Sequence, residues 1–364
     1  MRFPRARRFL KWALRAGIVA VCLYVALGVV FALHCSCVRG KFQPSAPTTS
    51  GNGIAGYARP EDDTFLTYAE WYIVWSYQEK ANWQQEHLPS GFPYFGAIGQ
   101  YWSGYCCSYG VVHNRYPFNF GDHLMLVIIG TSFTVEYGLK GAYENTAGRL
   151  TEWIGGHEAT DEDRFAARVA REYGLFVQDR PFYEFSFFSA LRGLWSDTRL
   201  FGPHIVRKWE RKAWLSLDYG VEAAYCGVIE LASHAVYGVE EDVTYALLEN
   251  APDAVLAAIP AVRRVKSIGS DSFIVRMPRY QKFTDAAGEL LRAHTRFAEI
   301  AGNRQIMVTA VMPRDWDFQL PVGELLFSSE ILTDRLSKRV ALRVPVTDLG
   351  VVTGGLPVEH IYDY

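Results

Sequence analysis

Eighteen consecutive uncharged residues, Ala16 to Leu33, follow fifteen residues that carry Arg2, Arg5, Arg7, Arg8, Lys11 and Arg15 and no acid. No other feature of the 364-residue sequence narrows its possible folds so far. As a helix such a run rises about 27 Å, close to the roughly 30 Å hydrocarbon core of a bilayer. A basic flank stays on the cytoplasmic side. The expectation is a basic cytoplasmic arm over 1–15, a single transmembrane helix over 16–34, and delivery of everything after His34 to the outer side. A cleaved signal peptide is the rival reading, with Val30-Phe31-Ala32 as its small-residue site, although signal cores usually run about 7–15 residues. No Asn-x-Ser/Thr sequon occurs, which favours a bacterial envelope, with the body in the periplasm, over a eukaryotic secretory route.

The formal net charge of −2 conceals this segregation. Without the arm, 31 Lys and Arg stand against 39 Asp and Glu, a net −8 that offers nucleic acid nothing to bind. An apolar share of 49% and an aromatic share of 15% exclude a disordered chain. Six cysteines in 364 residues exclude a small disulfide scaffold. Adjacent Cys106 and Cys107 rarely bridge each other without strain. A bridge from one of them to Cys35 or Cys37 is possible outside the cytoplasm, and free or buried thiols are the simpler expectation.

Residues 35–60, rich in Pro, Ser, Thr and Gly toward their end, read as a flexible tether. A helical, aromatic-rich domain is expected over 61–250. Thr67-Tyr-Ala-Glu70 has the pattern of a capping box, and Thr160-Asp-Glu-Asp163 opens another helix. From His123 to Val135 thirteen residues lack Asp, Glu, Lys and Arg, and the helix they begin should run to about Trp153. Too short to span, it suits a buried core helix or a re-entrant element. After Pro252 and Pro260 the periodicity turns toward strands. Strands over 265–277, a helix over 281–298, and strands over 305–312, 324–332, 339–346 and 358–362 suggest a ferredoxin-like β-α-β-β-α-β domain over 255–364. The fold class is therefore α+β.

Two constellations carry chemical possibilities. Glu230 and His234 stand at i,i+4 on the last apolar helix, with Glu222 two turns earlier and Glu136 or Glu144 available from the long helix before it. Carboxylates and a histidine turned inward from facing helices suit acid–base or metal chemistry, although the Glu-x-x-His motif of di-iron bundles is absent. The plain alternative pairs Glu136 with Lys140 and Glu230 with His234 inside the core. The second constellation, Arg207-Lys208-Trp209-Glu210-Arg211-Lys212-Ala213-Trp214, stacks four cations on neighbouring ridges. It suits anionic headgroups or an acidic partner, or else a solvated face whose indoles point inward. Nucleophile elbow, phosphate loop, zinc and Cys-x-x-Cys motifs are missing.

The segments HLMLVIIGTSFTVEYGLKGAYENTAGRLTEW (123–153), RPFYEFSFFSALRGLW (180–195), RKWERKAWLSLDYG (207–220) and VEHIYDY (358–364) resemble a family of uncharacterised bacterial membrane-anchored proteins. The resemblance implies an envelope location and no particular activity or cofactor. Three functions stay open: binding or assembly of envelope proteins, an enzyme or metalloprotein built on Glu136, Glu222, Glu230 and His234, and binding of lipid or another apolar ligand.

Overall fold

Aromatic side chains recur through the first half at helical spacings, and folding turns most of them inward. A computed structural model describes residues 57–113, 115–236, 243–268 and 271–364, with the side chains of 232–236 left aside, together with Ala26 and Val30. The expected arm, all but two residues of the expected anchor and most of the tether lie outside the described residues. Among the described residues no helix is long and apolar enough to cross a membrane.

After a single turn at Asp63–Leu66, the helices are α1 (Tyr68–Glu86), α2 (Tyr94–Val112) and α3 (Phe120–Tyr143). A π-helical segment, Glu144–Gly148, joins α3 to α4 (Arg149–Ile154). Then come α5 (Asp161–Phe176), α6 (Phe187–Asp197) and the long α7 (Ile205–Val236). α1 lies against α2 and α5, and α7 packs on α4, α5 and α6. Tyrosine fits such a core because its ring is apolar and its hydroxyl can still find a partner. Tyr101 donates to the Leu126 carbonyl at 2.6 Å and Tyr72 to Gln100 Oε1 at 3.1 Å.

Local signals fared unevenly. Thr160 and Asp163 form the expected reciprocal cap on α5. Thr67 does not cap α1: the backbone there is already helical from the preceding turn, and its hydroxyl donates to the Asp63 carbonyl at 2.6 Å. The helix begun at residue 123 does continue past Trp153, though through the π segment. Leu126, Phe133 and Tyr137 of α3 are buried, while Leu124, Ile128, Val135 and Leu139 are exposed.

Strands begin at Val243, inside the region expected to be helical. β1 (Val243–Glu249), α8 (Asp253–Ala258), β2 (Arg263–Ser267), β3 (Ser272–Pro278), α9 (Gln281–Arg292) and β4 (Arg296–Ile300) make one sheet, ordered β2-β3-β1-β4. β5 (Gln305–Pro313), β6 (Glu324–Ile331), β7 (Asp334–Pro345), α10 (Leu349–Gly355) and β8 (Val358–Ile361) make a second, ordered β6-β7-β5-β8. All paired strands run antiparallel. The single sheet expected over 255–364 is thus two. The helix expected to reach Ala298 ends at Arg292, where His294 takes a positive φ of 61° and turns the chain into β4.

Helical and sheet regions share one hydrophobic core. Met307 N–H donates to Thr64 Oγ1 at 3.2 Å, and the His360 ring lies 3.6 Å from that of Trp71. Arg339 of β7 is buried, reaches Glu79 of α1 at 3.3 Å and Glu359 of β8 at 2.6 Å, and rests 4.0 Å from the Trp75 ring centre. Cys107 and Cys226 are free thiols. Cys106 is disulfide-bonded, so the simpler expectation of free thiols fails there. Its partner is not among the described residues.

Candidate functional site

A cavity of about 280 Å³ opens between α1, α3, α5, α7 and the chain's last residues. Its walls are mostly apolar and aromatic: Trp71, Val74 and Tyr77 from α1, Ile129 and Phe133 from α3, Tyr173 from α5, and Phe182, Tyr183 and Tyr225. Tyr280, Asp363 and Tyr364 close another side. Asp363 is fixed there by Arg279 Nε at 3.3 Å and by the Tyr280 N–H at 3.2 Å. Ser132 and Tyr225, both partly exposed, meet at 3.3 Å between α3 and α7 on the outer rim.

Glu136 and Glu222 stand at the polar end of this cavity. Both also line a second, water-sized space of about 50 Å³, so their carboxylates form a shared wall with Tyr173. Lys140 centres the arrangement. Its Nζ lies 2.8 Å from Glu136, 3.1 Å from Glu222 and 3.2 Å from Asp218. The i,i+4 pair Glu136–Lys140 read from the sequence is therefore real, and α7 adds two further acids at the same i,i+4 interval. Glu136 has both oxygens engaged, one by Lys140 and the other by the Tyr77 hydroxyl at 2.6 Å. Glu222 Oε1 accepts from Lys140, and Oε2 has no donor among the described residues.

The two carboxylates titrate apart. Burial alone would raise Glu136, but Lys140, Lys80 and the Tyr77 hydrogen bond hold it below the usual range. Burial pushes Glu222 up to about 7; Lys140 opposes this, and Glu136 and Asp218 add to it. Lys80, nearby on α1, is lowered to about 8 by burial and by Lys140. Burial sets the direction for Glu222, and Lys140, shared among three acids, does not offset it.

No family model, curated protein or solved structure matches this chain. The chemistry is therefore read from the side chains themselves.

Of the expected acid–base set, Glu136 and Glu222 converge and Glu230 does not. Glu230 is exposed and lies outside the cavity, eight residues beyond Glu222 on α7. The His234 side chain lies outside the described residues. Among the described residues no group of three Asp, Glu, His or Cys side chains is placed to hold a metal ion. Where the three carboxylates meet, the ammonium of Lys140 occupies their centre.

The basic cluster of α7 is buried. Arg207, Lys208, Arg211 and Lys212 point into the protein, and the solvated cationic face expected from the sequence does not form. Arg207 bonds Glu152 and Asp163, each at 3.1 Å, and Glu210 at 3.0 Å. Arg211 bonds Glu144 at 2.7 Å and Asp163 at 3.0 Å. Lys208 reaches Glu162 at 2.9 Å, while Lys212 donates to the Thr198 hydroxyl at 2.6 Å. Buried charges persist only when paired, and each has partners from other helices. Trp214 stacks on Tyr143 at 3.6 Å, and Trp209 is exposed.

Sequence reasoning missed Lys140 as the hub, together with Asp218 and Lys80. Asp218 and Glu222 at i,i+4 were a usable signal, since two like charges at that spacing on one helix call for a cation from elsewhere. Lys80 left no local trace.

Proposed function

We propose that this protein is a membrane-tethered envelope protein that holds a small, largely apolar molecule in the cavity of its helical region. The tether and the location rest on the sequence of residues 1–60. One observation carries the binding reading: a largely apolar and aromatic cavity of about 280 Å³ with a few polar and charged groups in its walls. Ligand sites have this composition, with apolar walls for affinity and sparse polar groups for orientation. Calorimetry with the full-length chain in phosphatidylcholine nanodiscs tests it, using 4-phenylbutanol as probe and empty discs as blank. Binding is expected in the wild type. Val74→Trp, which fills the cavity, should weaken it at least tenfold. Equal heats in the two proteins would overturn the reading.

A different observation favours a second reading, in which the body docks an envelope protein. Leu124, Val135 and Leu139 share an exposed face of α3, and Leu217, Val221, Val228 and Leu231 share one of α7. Monomeric surfaces seldom expose apolar area on this scale without a use for it. A photo-crosslinking residue at Leu139 should yield one discrete protein adduct in cells. A smear of lipid adducts, or no adduct, would count against it.

A further inference from the structure

The polar end of the cavity is unevenly charged. Three carboxylates, Glu136, Asp218 and Glu222, surround one ammonium. Lys80 is a further cation beside them, facing the rings of Tyr77 and Tyr137 at 5.5 and 5.7 Å, while Arg180 lines the cavity from a largely solvent-exposed position. With both lysines charged, one negative charge is left over. The hydrogen bonds locate it: Glu136 is fully engaged, whereas Glu222 presents Oε2 without a donor among the described residues. Glu222 lines a cavity with aromatic walls, and the π-faces of such rings attract cations as well as apolar surface. An anionic ligand would meet the excess of acids, and a neutral one would leave it uncompensated.

We propose that the ligand is an amine: a compact apolar body whose protonated nitrogen docks on the free oxygen of Glu222 while the aromatic wall takes the rest. This rests on the reading of the cavity as a ligand site. Its size follows from volume. A cavity of ~150 Å³ holds benzene, so twice that space takes roughly ten to twelve non-hydrogen atoms.

Binding is coupled to a proton. The groups facing Glu222 are Lys140 and Glu136 on α3, Asp218 and Cys226 on α7, Lys80 and Tyr77 on α1, and Tyr173 on α5. The Glu222 carboxyl is half ionised near pH 7. An ammonium docked on it favours the ionised form, so the carboxyl proton leaves to solvent as the amine enters. Amine affinity should therefore rise about tenfold from pH 6 to pH 8, the change in ionised fraction of a group titrating near 7.

The test uses the full-length chain in phosphatidylcholine nanodiscs and three probes with one body: 4-phenylbutylamine, 4-phenylbutanol and 4-phenylbutyrate. The amine is expected to bind at least tenfold tighter than the alcohol at pH 8, and the carboxylate to give no heat. That preference should shrink about tenfold at pH 6 in the wild type, a result that needs no variant. In Glu222→Gln the amine-to-alcohol ratio should fall to within about twofold at both pH values. Glu222→Asp, which keeps the charge, should keep part of the pH dependence. Equal binding of amine and alcohol by the wild type at both pH values overturns the amine assignment and leaves the cavity reading standing. Absence of binding by all three probes overturns the cavity reading and the amine assignment with it.

Discussion

Glu222 departs far from what its residue type does in water, and its effect on stability has a definite sign. Its ordinary value is 4.5, and the fold raises it to about 7. The folded state therefore binds the proton more tightly than the unfolded state. This contribution is complete below about pH 4.5 and is lost as pH rises through about 7. From pH 5 to pH 8 the wild type should lose on the order of 2–3 kcal/mol that Glu222→Gln does not lose. Urea unfolding of both proteins across that range checks it, and parallel pH profiles would refute it. Glu136 is displaced the other way by the same lysine, so Gln substitution there should not reproduce the effect.

Elements show where the sequence was readable and where it was not. The cap on α5 and the Glu136–Lys140 pair were legible because every atom involved lies within one turn of helix. The four cations of α7 were misread because their partners lie elsewhere in the chain. Glu144 comes from the π segment, Glu152 from α4, and Glu162 and Asp163 from α5. On its own, a charged helix face is ordinarily solvated; only the fold shows it buried. β4 was hidden for a related reason, since the apolar pattern of α9 runs on past the turn at His294. Close packing of α2 on α3 gives a direct check. A Cβ on Gly130 would lie 2.0 Å from the Tyr101 ring, while one on Gly138, also in α3, would meet nothing within 4 Å. Gly130→Ala should cost about 1–3 kcal/mol by overpacking. Gly138→Ala should stabilise by about 0.5–1 kcal/mol through helix propensity. Thermal unfolding of the two variants should move in opposite directions.

For the whole molecule, the sequence predicted an α+β body and missed how tightly its halves interlock. The contacts that join them, such as Trp71 with His360 and Arg339 with Glu79, span most of the chain and leave no local pattern. The compartment can be tested through the cysteines. Peptide mapping of alkylated, unreduced protein from cells should find Cys107 and Cys226 labelled and Cys106 in a cross-linked peptide. Full labelling of Cys106 would refute the bridge and count against the proposed envelope location.

The bond from Met307 to Thr64 joins residues 243 positions apart. At ~5–20 residues per second of synthesis, Thr64 waits roughly ten to fifty seconds for its partner to be made. During that interval Phe65, Tyr68, Trp71 and Trp75, all buried in the finished protein, have no second sheet to cover them. Distant pairings of this kind fold slowly. The nascent chain should therefore leave this apolar surface uncovered until the second sheet is made, and its yield should be limited by how long the first helices are shielded rather than by the stability of the finished fold.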